Sequence, residues 1–149
     1  MAEQVLVIGT DPPCPRCDLV NRMVEEYQAE GNEFDFVHLV YDSDHAAAIG
    51  NRFNRRIGTE KDVAKAAGIR LDWKAVYAEI EQAKIEAGPG ARPADAWTAH
   101  LDKLLEPCRK AAEEAGWLMT PVLIIDGEVK HHGSVPDLEK VHSWLAGNR

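Results

Sequence analysis

Cys14 and Cys17, in the run Asp11-Pro12-Pro13-Cys14-Pro15-Arg16-Cys17, carry the clearest chemistry in this chain. If Cys14 opens a helix, the two sulfurs lie within one turn and can join as a disulfide and part again with little backbone movement. The unpaired N–H groups and positive dipole end of a helix start favour a thiolate there. Cys14 is therefore expected to have a lowered pKa and to act as the nucleophile, with Arg16 adding positive charge if its side chain turns towards the sulfur. Cys17, one turn further in and less exposed, is the resolving thiol that attacks the mixed disulfide.

The same spacing supplies two ligands to structural zinc. A second matching pair is missing, because Cys108 is isolated and His45, His131 and His132 come near only through folding. The alternative to a redox centre is thus a non-catalytic module that binds a metal or a protein partner through Cys14 and Cys17. Two inert thiols fit less well, since helix starts activate thiols. Cys108 reads as a small core residue, with a relay thiol as its other reading. His131-His132 reads as an exposed strand end, and Asp42, Asp44 and His45 fit a helix cap. Arg52, Arg55 and Arg56 read as a solvated helix face.

The elements that must position the cysteines follow from pattern. Residues 4–10 are apolar and β-branched enough for a buried strand, and Asp11-Pro12-Pro13 is a turn leading into a helix over about 14–29. Leu19, Val20, Met23, Val24 and Tyr27 give that helix one apolar face, and Gly31-Asn32 stops it. Residues 34–41 form a second strand, parallel to the first by the usual βαβ rule. From 42 to 116 the chain is rich in Ala, Glu and Lys at helical spacing, with no convincing strand. Helices are expected over about 44–55, 59–67, 72–87 and 93–115, the last interrupted at Pro107. Pro121 then leads into Val122-Leu123-Ile124-Ile125, a turn at Asp126-Gly127, and a return strand to His132. A closing helix follows Gly133-Ser134-Val135-Pro136, with Leu138, Val141, Trp144 and Leu145 on one face.

Composition bounds the rest. At 149 residues, with 45% hydrophobic and 28% charged residues, the chain suits one globular domain with a core of its own. A formal net charge of -8 argues against nucleic acid or an anionic membrane surface as a partner. The start shows no signal-peptide pattern, no stretch is long and apolar enough to span a bilayer, and three cysteines do not make a disulfide framework; a cytoplasmic setting is expected.

The chain resembles the thioredoxin and glutaredoxin superfamily in three features taken in order. Cys14-Pro15-Arg16-Cys17 after a first strand is similar to the glutaredoxin-type CPxC. Met119-Thr120-Pro121-Val122-Leu123-Ile124-Ile125-Asp126-Gly127 is similar to the Thr-Pro bend, strand and Gly turn, and Gly133 with a closing helix is the third feature. The resemblance covers about residues 4–41 and 111–146. It implies an α/β, thioredoxin-like fold: a central four-stranded mixed sheet flanked by helices. The single domain then divides into a βαβ half (4–41), a mostly helical insertion (42–110), and the bend, hairpin and closing helix (111–149). The insertion is expected to add core, anchored by Trp73, Trp97 and Trp117, with a lid or partner-recognition surface as the alternative.

The resemblance also implies a thiol-disulfide oxidoreductase without a cofactor, with Cys14 as nucleophile and Cys17 resolving. Its partners would be a disulfide-containing protein and an electron donor. Pro121 would be cis beside the cysteines, and the Thr120 backbone would pair with an extended substrate segment. The buried acid of thioredoxins would fall at Ile8, and their Trp before the first cysteine has no counterpart at Asp11, Pro12 or Pro13. The glutaredoxin lysine would fall at Asp11 and the Gly-Gly-x-Asp region is replaced, which weighs against glutathione. The direction of electron flow is left open.

Overall fold

The structure, a computed structural model, describes residues 4–147. Its first strand, β1 (Gln4–Gly9), is buried from Val5 to Ile8. β1 pairs in parallel with β2 (Asp35–Val40) and antiparallel with β5 (Val122–Ile125), which pairs with β6 (Glu128–His132). The order β2-β1-β5-β6 makes the four-stranded mixed sheet that the resemblance implies. At the β5–β6 turn Asp126 (φ 50°) and Gly127 (φ 81°) both take positive φ, the twist that a two-residue hairpin favours.

Period-two alternation divides the core between two layers. Val5, Val7, Leu123 and Ile125 face α1 (Pro15–Ala29) and α7 (Leu138–Leu145), meeting Val20, Val24, Val141 and Leu145. Leu6, Ile8, Val122 and Ile124 face the other way, towards Ala46 and Ile49 of α2 (Asp44–Arg52). Burial on both faces explains why these strands read as unbroken apolar runs. No helix among the described residues is long and apolar enough to cross a membrane.

The middle of the chain holds α3 (Glu60–Ala67), α4 (Trp73–Ala87), a 3-10 helix at Pro93–Ala96, α5 (Ala99–Leu104) and α6 (Glu106–Ala115). The helix expected over 93–115 is thus three pieces. Thr98 caps α5 by accepting the Leu101 N–H, and Pro107 lies in the first turn of α6, where its missing N–H costs nothing. Trp73 and Trp97 pack around Val76, Leu101 and Leu105, and Trp117 packs with Cys108 and Met119.

This segment also contains a strand, contrary to expectation. β3 (Arg56–Gly58) pairs in parallel with β4 (Trp117–Met119), making a separate two-stranded sheet. Three residues are too few for an alternation to show, and these lie in a stretch that is otherwise helical. The arginine cluster is corrected with it. Only Arg52 belongs to a helix, Arg55 donates to the Trp117 carbonyl (2.8 Å), and the Arg56 guanidinium lies 4.4 Å from the centroid of the Trp117 ring.

Candidate active site

The loop after β1 delivers Cys14 to a helix start. Thr10 Oγ1 accepts the Cys14 N–H (2.9 Å) and donates to the Pro12 carbonyl (3.0 Å), fixing a turn that contains the cis Asp11-Pro12 peptide. Cys14 is the N-cap of α1, in extended conformation, with Pro15 at the first helical position. Its Sγ accepts the Cys17 N–H at 3.4 Å, as a capping oxygen would. The two sulfurs stand 3.3 Å apart as free thiols, hydrogen-bonded to each other, against about 2.05 Å in a disulfide.

The pair is electrically asymmetric. The hydrogen bond from Cys17 is the main cause that brings the Cys14 pKa down to about 7; the Cys17 N–H and the Arg16 charge help, against burial and Glu60. Cys17, fully buried, is pushed well above the ordinary thiol value because it is the donor in that bond, because it is desolvated, and because it faces the Cys14 charge. Near neutral pH one sulfur is thus partly ionised while the other stays a thiol. Close approach to Cys17 depends on Gly9, since a Cβ there would lie 2.6 Å from Cys17 Sγ and 3.1 Å from His38 Cε1. His38 is held between Asn21 Oδ1 (3.1 Å) and the Thr10 carbonyl (3.0 Å).

Arg16 does not reach out to solvent. Only 2% exposed, it donates through Nε to Asp102 Oδ1 (2.7 Å), through Nη1 to Glu60 Oε2 and the Thr120 carbonyl (both 3.4 Å), and through Nη2 to the Gly133 carbonyl. Asp102 also accepts the Val135 N–H (2.9 Å). One guanidinium therefore ties α1 to α3, α5, the Thr-Pro bend and the segment before α7. The bidentate reach of arginine suits it to such a junction, which lysine cannot form.

Pro121 is cis, as the resemblance implies. The Thr120 backbone, expected to meet a substrate segment, is engaged within the chain. Its N–H donates to the Gly58 carbonyl (2.9 Å), its carbonyl accepts from Arg16, and the residue is 1% exposed, so neither group is open to an added strand.

The helical middle of the chain borders the nucleophile. Pro12, Pro13, Cys14 and Pro15 form one side of a cleft of about 490 Å³, with Lys84, Ala87, Ala91, Arg92 and Pro93 among the residues of the other side. Arg92 holds that far side to α1 with two bonds to Asp18 (2.7 and 3.1 Å) and one to Glu25 (2.9 Å), and Asp18 also accepts the Ala94 N–H (2.9 Å). Arg22 to Asp95 (2.7 Å) adds a further tie.

The remaining candidates lie elsewhere. Cys108 is fully buried in α6, and desolvation pushes its thiol up to about 11. The histidines at the end of β6 are half-buried and not merely decorative. His131 bonds Ser134 Oγ (2.7 Å), and burial lowers its pKa to about 4; His132 bonds Met119 N–H (3.2 Å) and Glu113 (2.9 Å). Ser43 caps α2, with Asp44 in the first turn. Among the described residues no three His, Cys, Asp or Glu side chains are grouped to hold a metal ion.

Sequence pattern did not point to Gly9, His38, Glu60, Asp102 or the Asp18–Arg92 pair. Gly9 stood next to the motif as a visible signal. The acidic residues look like ordinary surface charges until folding joins segments 44 to 86 residues apart.

A family profile described as a thioredoxin domain matches residues 91–146 of this chain. No curated protein matches. Among solved structures, a Pseudomonas syringae protein assigned provisionally as a protein-disulfide isomerase is similar over 95% of this chain and 92% of its own, at 17% identity and a TM-score of 0.34.

Proposed function

We propose, from the premise that the chain carries a thioredoxin-like fold, that it is a thiol-disulfide oxidoreductase acting on protein disulfides through Cys14 and Cys17. The observation that carries this reading is the 3.3 Å sulfur pair at the start of α1, with one thiol lowered to about 7 and the other raised. That is the division of roles a two-step exchange requires.

In the first step Cys14 Sγ bonds to one sulfur of the partner's disulfide, whose S–S bond breaks. The second partner sulfur leaves as a thiolate and takes up a proton. Cys17 then gives up its proton, its Sγ bonds to Cys14 Sγ, and the mixed disulfide breaks, releasing the first partner sulfur as a thiol. The partner gains two electrons and two protons, and Cys14–Cys17 is left oxidised. Turnover in this direction needs a second dithiol to reduce it again, and the reverse sequence oxidises a partner dithiol.

Equilibration with dithiothreitol buffers, alkylation and mass spectrometry tests the reading. A reversible two-electron couple lost in Cys14→Ser and kept in Cys108→Ser is expected. No couple at any accessible potential would overturn it in favour of a module that binds a partner or a metal through the two cysteines.

A further inference from the structure

Resting on the oxidoreductase reading, we propose that the partner docks in the proline-lined cleft between the 12–15 loop and the insertion, and not along Thr120. The occupant is a protein segment with an apolar side chain next to its disulfide cysteine and a single carboxylate that reaches Lys84.

Three observations carry this. Strand addition at the Thr-Pro bend has no open backbone group, since Gly58 and Arg16 hold both polar atoms of Thr120. The cleft, in contrast, is lined by Cys14 itself and faced with Pro12, Pro13, Pro15, Ala91 and Pro93. Prolines offer no N–H for strand pairing, so this surface recognises by burying an apolar side chain. At about 490 Å³ it has room for one or two such side chains.

Charge selects further. Of the two cations lining the cleft, Arg92 is committed to Asp18 and Glu25, whereas the carboxylate paired with Lys84 is Glu81 at 4.0 Å. Lys84 is thus the cation a ligand carboxylate meets. The net charge of -8 repels a strongly acidic partner at long range, so the carboxylate is a local one. The bonds of Arg92 and Arg22 to α1 and the 3-10 helix hold the far side in place before anything binds, which limits the ordering cost of docking.

The test uses the reduced full chain and symmetrical disulfides of short blocked peptides, Gly-Cys-Gly, Leu-Cys-Glu and Leu-Cys-Lys, with release of peptide thiol as the readout. The Leu peptides should react about tenfold faster than Gly-Cys-Gly, the scale of discrimination an apolar pocket gives for one side chain. Leu-Cys-Glu should exceed Leu-Cys-Lys, and Lys84→Glu should reverse that order. Ala91→Trp and, independently, Ala87→Trp, both at exposed positions of the lining, should bring the Leu to Gly ratio towards one. Equal rates for all three peptides in a protein that equilibrates with dithiothreitol would overturn the docking site alone. Failure to exchange with dithiothreitol at all would overturn the oxidoreductase reading, and the docking site with it.

Discussion

A thiol that accepts a hydrogen bond from its own resolving partner has its reactivity set by that partner. Cys14 should therefore alkylate with iodoacetamide along a titration centred near pH 7, the rate falling about tenfold for each unit below as the thiolate is protonated. Cys17→Ala, which removes the main cause of the shift, should move that midpoint up towards the ordinary thiol value of 9.0; a midpoint that stays near 7 would assign the lowering to the helix start instead. Gly9 works at the same scale through absence. Gly9→Ala places a carbon 2.6 Å from Cys17 Sγ and 2.8 Å from its Cβ, and neither β1 nor α1 can yield cheaply because both are core elements. Overpacking of this kind costs about 1–3 kcal/mol, to be read as a lower urea midpoint, and the displaced sulfur should slow closure of the Cys14–Cys17 disulfide.

Elements are joined around the site by charge as much as by apolar packing. Arg16→Gln would leave Asp102 (16% exposed) and Glu60 (20% exposed) without their cation, and two carbonyls without a donor. Breaking a largely buried ion pair by removing one member costs about 3 kcal/mol or more, so denaturant unfolding should show a loss of that size. The Asp18–Arg92 latch bears on a different property, because it connects α1 to the segment that walls the cleft. Asp18→Ala leaves Arg92 with Glu25 alone and the Ala94 N–H without its acceptor, and amide exchange over residues 90–98 should quicken while the sheet stays protected. If exchange there is unchanged, the Arg92–Glu25 and Arg22–Asp95 pairs suffice to hold the segment.

Across the molecule, the local part of the design is legible in the sequence and the distant part is not. The unbroken apolar run Val5-Leu6-Val7-Ile8, the helical spacing of Val20 and Val24, and the Asp126-Gly127 turn each announce an element, because the signal of a strand, helix or turn lies within a few residues. The CPxC motif at a helix start announces the chemistry for the same reason. Nothing local distinguishes Glu60 or Asp102 from other acidic residues, or shows that Arg56-Ile57-Gly58 will find Trp117-Leu118-Met119 as a parallel neighbour. Those facts exist only once the chain has closed. The Arg16 junction joins residue 16 to positions 44, 86, 104 and 117 residues away, and each such closure must be completed before the contact returns any energy. The junction should therefore form after the folding transition state, and its loss should appear on one limb of the kinetics only. Arg16→Gln should refold at close to the parent rate and unfold on the order of a hundredfold faster, the equivalent of about 3 kcal/mol, in stopped-flow dilution from urea. The arginine between the two cysteines thus governs the lifetime of the folded chain, including the half of the cycle when no disulfide joins its neighbours.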